Sequence, residues 1–210
     1  MSVRACRVGL TGNMGAGKSH VARLLTRLGF PVYNSDLQAK TLLETDVHLR
    51  AALSAEFGSD LYDTGGRLQR KILAARAFPS AEATARLNEL IHPAVGRDFE
   101  AWCTASQTAG HRLVFKEAAL IYEAAVQGSL DAVWLVAAPV EIRKQRVLAR
   151  DGLSPQEVDD RMARQWAEER KRELAHFVIE NDGIQALAPQ LRRAFQLLNT
   201  ASESTNLVPE

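Results

Sequence analysis

Eight consecutive residues, Gly12-Asn-Met-Gly-Ala-Gly-Lys-Ser19, constrain this chain more than any other feature. They follow the spacing Gly, four residues, Gly, Lys, Ser/Thr of a phosphate-binding loop. Glycines let the main chain take positive φ and come close to an anion. Successive N–H groups then form a nest around phosphate oxygens, and the next helix adds its partial positive end. Lys18 supplies a mobile full charge to the β- and γ-phosphates, and the Ser19 hydroxyl is placed to bind Mg²⁺. The motif counts only between a strand and a helix, and both patterns are present. The apolar run ending at Gly12 predicts a strand over residues 3–10. From Lys18 to Leu28, Val21, Leu24, Leu25 and Leu28 fall on one helical face, and Gly29 stands where a helix stops. Gly12, Asn13, Met14, Gly15, Ala16, Gly17, Lys18 and Ser19 are therefore expected to hold a nucleoside triphosphate, with His20 beside them on a solvent-facing first turn.

Four more short apolar runs follow. They are Phe30–Tyr33, a run beginning Leu113-Val-Phe115, Ala132–Val136, and Phe177–Ile179. The fourth of the five, Ala132–Val136, does not alternate at all, which suits a strand covered on both faces of a parallel sheet. With helical patterns between them, the runs predict an α/β fold with right-handed crossovers. Two stretches break the alternation. Residues 37–110 are rich in Ala, Leu, Arg and Glu and predict three or four inserted helices. Residues 141–173 hold 9 Lys/Arg and 8 Asp/Glu and predict two charged helices joined by an exposed turn. Ser154-Pro-Gln-Glu157 opens the second with an N-cap serine, a first-turn proline and a glutamate at the third position. The expected organisation is one domain over residues 3–201, with a core at about 3–36, 111–140 and 176–200 and a flexible tail at 202–210.

Composition narrows the function. Lys plus Arg is 26 against 25 for Asp plus Glu, a net +1, which lacks the basic footprint of a nucleic-acid binder. The longest apolar stretch, Ala132–Val140, is too short to span a bilayer. The N-terminus shows no signal-peptide pattern. Cys6 and Cys103 have no partner at metal-binding spacing and read as reduced thiols of a cytoplasmic protein.

The loop by itself does not separate kinases from GTPases or motor ATPases. A guanine-reading Asn-Lys-x-Asp sequence is absent, and the inserted helices with the Arg-rich region at about 141–175 suggest a small-molecule kinase with an acceptor wall and a closing lid. Asp36 has two readings. It is a carboxylate at a strand's C-terminal end, in the crevice where α/β sheets bind ligands, or the cap of a helix starting near Leu37. Arg146 and Arg150 lie four apart on one predicted helix, and Arg161 and Arg164 three apart on the next.

Several stretches together resemble the dephospho-CoA kinases, over roughly residues 6–200. They are Val8–Ser19, Leu28–Asp36, Asp63–Leu68, Leu90-Ile-His-Pro93, Glu117–Glu123, Arg146–Gly152 and Val178–Gly183. The resemblance implies a P-loop NTPase fold: a parallel five-stranded sheet flanked by helices, with a helical substrate-binding insertion and a helical lid. It implies transfer of the ATP γ-phosphate, with Mg²⁺, to the ribose 3′-hydroxyl of dephospho-CoA. In that family's pattern Asp36 is the candidate base facing the acceptor, and Lys18 joins it in catalysis. Arg150 and Asn181 fall on the ATP side; His92, Glu117 and Arg161 fall on the acceptor side. A second acid often precedes the Asp36 position by two residues, and here it is Asn34; Glu117 stands where Asp is common. Asn13 and His20 replace the commoner Gly and Thr, with small effects expected. The implied partners are small molecules only, with neither nucleic acid nor membrane, in a monomer or weak homo-oligomer. Two other readings share the loop: another small-molecule or nucleoside monophosphate kinase, and a nucleotide-dependent binding switch.

Overall fold

The computed structural model describes residues 4–201. The tail expected at 202–210 and the first residue of the predicted strand, at 3, lie outside the described residues. Five strands, β1 (Cys6–Thr11), β2 (Val32–Asn34), β3 (Leu113–Glu117), β4 (Ala132–Ala137) and β5 (Phe177–Glu180), make one sheet in the order β2-β3-β1-β4-β5. Pairing is parallel between β1 and β3, β1 and β4, and β4 and β5. The register sets Leu10 against Glu117 on one side and Trp134 on the other, so the strands' carboxyl ends collect at one edge.

Each residue of β3 and β4 is buried, as runs without alternation require. One face packs Val8, Leu10, Phe115, Trp134 and Val136 against Val21 and Leu25 of α1 (Lys18–Arg27) and Leu191, Phe195 and Leu198 of α9 (Leu187–Ala201). Phe115, Trp134 and Phe195 meet with ring centroids 5.2–6.3 Å apart. On the other face, Val133 packs with Ile121 and Tyr122, and half-buried Trp166 joins them.

The predicted second strand, Phe30–Tyr33, is displaced to Val32–Asn34. Pro31 gives its carbonyl to the Phe115 N–H at 2.9 Å but has no N–H to return. Phe30 is apolar because it stacks on Phe195, 4.9 Å away, and not because it belongs to the sheet.

Two compact units divide the chain. The first holds the sheet, with the residues up to Tyr33 and from Ser106 onward; the second runs from Asn34 to Ala105. The second is helical: α2 (Ser35–Thr45), α3 (Val47–Phe57), α4 (Arg70–Ala77) and α5 (Ala81–Thr108) as far as Ala105. It has its own core, with Leu49, Leu53, Phe57, Leu61, Leu73 and Leu87 among its buried residues. Asn34 caps α2 by accepting the Leu37 N–H at 2.9 Å, and Asp46 caps α3. The Asp63–Leu68 stretch is a tight turn closed by a bridge between Tyr62 and Leu68.

Back in the first unit, residues 140–174 form three helices rather than the two expected: α6 (Val140–Asp151), α7 (Pro155–Met162) and α8 (Glu168–Leu174). The Ser154–Glu157 capping box is present at the start of α7. Residues 163–167 leave the helix, so Arg164 lies beyond the end of α7 and does not share a helix with Arg161. No helix among the described residues is long and apolar enough to cross a membrane.

Candidate active site

The chain leaves β1 at Thr11 and turns through Gly12–Gly17 into α1, so the glycine loop sits at the carboxyl edge of the sheet. Three glycines there are sterically required, and a Cβ on Gly12 would strike the Val136 carbonyl of β4. Gly15 has φ +80°, and a Cβ on it would strike the Arg143 carbonyl of α6. Gly17 has φ +94°, and a Cβ on it would strike the Asn181 carboxamide just after β5. The chain thus brings α6 and the β5 end against the loop so closely that side chains are excluded. Ala16 donates its N–H to the Asn13 carbonyl at 3.0 Å, closing the turn. The N–H groups of Gly15, Gly17 and Ser19 have no acceptor among the described residues. Unpaired main-chain donors at a helix N-terminus are the condition for anion binding.

The side chains around the loop are arranged accordingly. Lys18 Nζ donates to the Gly12 carbonyl at 2.8 Å, which folds the ammonium back over the loop. Ser19 Oγ donates to Glu117 Oε1 at 2.7 Å. Glu117 ends β3 and is only 7% exposed, so the structure gives this acid a specific partner on the loop's helix. Asn181 Nδ2 donates to the Ala16 carbonyl at 2.7 Å and fixes the loop from the other side. His20 is exposed. Asn13 is 5% exposed, and its Nδ2 donates to the Trp166 carbonyl at 3.1 Å.

The arginines sort differently from their spacing. Arg146, not Arg150, reaches the loop region: its guanidinium donates to the Asn181 carbonyl at 2.9 Å and to the Gly15 carbonyl at 3.4 Å. Arg150 is exposed and forks onto the neighbouring Asp151 at 2.6 and 2.8 Å, holding that carboxyl below its usual range. Arg161 is exposed near the end of α7. Arg143 is buried and donates to the Ala138 carbonyl at 2.9 Å, with Glu168 3.7 Å away. Glu168 also takes Arg172, which bonds Glu180 of β5. This chain of charges ties α6, α8 and β5 together.

Asp36 and His92 belong to the second unit. Asp36 is in the first turn of α2 and exposed, and its carboxylate makes no hydrogen bond or ion pair among the described residues. Of the two readings of Asp36, capping is thereby removed, because Asn34 does the capping. His92 is an exposed residue of α5, directly before Pro93.

Sequence reasoning passed over four residues that pack at the loop or beneath it: Gln165, Trp166, Glu123 and Lys171. Gln165 Oε1 accepts the Met14 N–H at 2.7 Å. Nothing in the sequence marks a lone glutamine in a turn for that task. Lys171 is fully buried against Glu123, 2.7 Å away, although its charge-rich surroundings read as a solvated face.

The chain matches the family described as dephospho-CoA kinase (CoaE) over residues 6–186, which spans the loop, the helical unit and the three charged helices. The chain belongs to the dephospho-CoA kinase family. A dephospho-CoA kinase of Deinococcus radiodurans is 40% identical over 193 residues, 91% of this chain and 92% of that one. A dephospho-CoA kinase of Chlorobaculum tepidum is 38% identical over 201 residues, 93% and 96% of the two chains. Among solved structures, TT1252 from Thermus thermophilus superposes with a TM-score of 0.77 at 36% identity, covering 97% of this chain and all of that one. The phosphate-loop fold and an ATP-dependent kinase activity go with membership of the dephospho-CoA kinase family.

Proposed function

We propose that this enzyme transfers the ATP γ-phosphoryl group to the ribose 3′-hydroxyl of dephospho-CoA, giving coenzyme A. The observation that carries the reading is the family match over residues 6–186, which takes in the phosphate loop and the helical unit together. The unpaired N–H groups of Gly15, Gly17 and Ser19 receive phosphate oxygens, and Lys18 leaves the Gly12 carbonyl to follow the β- and γ-phosphates. Charge spreads over the transferring oxygens in a loose transition state, so fixed donors matter more than covalent chemistry.

Mg²⁺ suits the pair formed by the Ser19 hydroxyl and the Glu117 carboxylate, two hard oxygens 2.7 Å apart at the foot of the loop. Bound there, the ion supplies positive charge to the phosphate oxygens. Asp36 accepts the hydrogen bond of the acceptor hydroxyl and takes its proton late in the transfer, for which its uncommitted carboxylate is suited. Arg150, Arg161 and His92 are proposed to assist on ATP and the acceptor, as exposed side chains. We place the enzyme in the cytoplasm, with small-molecule partners and no stable oligomer required.

The test is the position of the new phosphate. Phosphorus NMR of the product of ATP, Mg²⁺ and dephospho-CoA should show a monoester on the ribose 3′ carbon. A phosphate at another position, or ADP formation with no phosphorylated acceptor, contradicts the proposal.

A further inference from the structure

The turn at residues 163–167, between α7 and α8, is held on two sides. Toward the phosphate loop, Gln165 Oε1 accepts the Met14 N–H at 2.7 Å, and the Trp166 carbonyl accepts Asn13 Nδ2 at 3.1 Å. Of the two ends of a carboxamide only the oxygen can accept from a main-chain N–H, so the orientation of the Gln165 carboxamide is fixed by chemistry. Away from the loop, the Trp166 N–H donates to Glu123 Oε1 at 3.0 Å, and Lys171 Nζ lies 2.7 Å from the same oxygen. The Trp166 ring stacks on Tyr122, with planes 8° apart, and the Arg170 guanidinium carbon sits 3.4 Å above the ring. Lys171 is wholly buried, and a buried ammonium without its carboxylate is strongly disfavoured. The turn therefore cannot leave the loop by swinging α8 without separating this pair.

We propose that Gln165 is a positioning residue for phosphoryl transfer: it holds the tip of the phosphate loop through Met14, while the buried Glu123–Lys171 pair holds Gln165 in place. The Met14 N–H is taken up by protein, and the donors at Gly15, Gly17 and Ser19 remain for phosphates in a loop whose shape is set before nucleotide arrives. Such preorganisation strengthens binding because the loop loses little freedom when it is occupied. Gln165 acts through the loop and not on the acceptor, so its effect falls on nucleotide. The inference rests on the reading of Gly12–Ser19 as the ATP loop and needs nothing from the acceptor.

The experiment compares wild type, Gln165→Met and Glu123→Gln by calorimetric ADP affinity, KM for ATP, KM for dephospho-CoA and thermal midpoint. Gln165→Met keeps length and loses the acceptor; Glu123→Gln keeps an oxygen for the Trp166 N–H and loses the charge. Gln165→Met should weaken ADP binding and raise KM for ATP roughly three- to tenfold, the range for one lost hydrogen bond, with KM for dephospho-CoA within about twofold and an unchanged thermal midpoint. Glu123→Gln should weaken ADP in the same sense. The double variant should be no weaker than the weaker single one, because both act through one turn. Unchanged ADP affinity in Gln165→Met, or additive losses in the double variant, overturns the proposal. Should Glu123→Gln fail to fold, Gln165→Met alone still decides. If the wild-type enzyme binds ADP but leaves dephospho-CoA unmodified, the proposed acceptor fails while the ADP measurements still test the turn.

Discussion

Lys18 is bonded to the Gly12 carbonyl, six residues back in the chain, by a contact that phosphate would replace. Removing its charge leaves the loop geometry but no mobile cation, and Lys18→Ala should lower turnover on the order of 10²–10⁴-fold. Asp36→Asn should lose turnover in the same range while ADP affinity holds, since that carboxylate is assigned to the acceptor. Steady-state kinetics and calorimetry check both, and near-normal turnover in Asp36→Asn removes the residue from the mechanism. Gly17→Ala has a different cause. The added methyl meets the Asn181 carboxamide in a backbone conformation that side chains avoid, so the variant should lose ADP binding by distorting the loop. ADP affinity equal to wild type contradicts the tight fit between the loop and the β5 end.

At the scale of elements, α7 depends on its first turn. The Ser154 N–H and hydroxyl hold the Glu157 carboxyl below its usual range. That contribution is present above the ordinary glutamate value and is lost as pH falls through the lowered one. Ser154→Ala should therefore lower the thermal midpoint by about 2–4 °C at neutral pH, and the difference should shrink at about pH 3. A difference that does not depend on pH contradicts the capping box as its source. Ser154-Pro-Gln-Glu157 was readable because capping is local chemistry written in consecutive residues. The strands β3 and β4 were readable because a parallel strand covered on both faces is apolar throughout. The third charged helix, α8, was not. Its identity comes from Lys171 meeting Glu123, 48 positions earlier, and charge patterning cannot distinguish a buried cation from a solvated one. Likewise, Arg146 and Arg150 share a helical face in sequence, yet only Arg146 lies alongside Gly15, while Arg150 folds onto Asp151 at the helix end.

Across the whole molecule, the loop motif was sufficient for the nucleotide half of the reading, because its glycines answer to a geometry that few other turns need. The acceptor half was legible only as resemblance. The unit from Asn34 to Ala105 carries an ordinary helical core of leucines, and no residue pattern within it spells out a nucleotide with a thiol-ended arm or a ribose. The near-zero net charge fits a chain that binds small anions at fixed donors rather than a polyanion along a basic face. A loop kinase is defined by the acceptor it chooses, and a panel of acceptors measures that choice directly. With ATP and Mg²⁺, ADP release should be fastest with dephospho-CoA, and AMP or shikimate should fall at least about a hundredfold lower in kcat/KM, as when a site's polar groups go unpaired. AMP or shikimate outperforming dephospho-CoA would contradict the account.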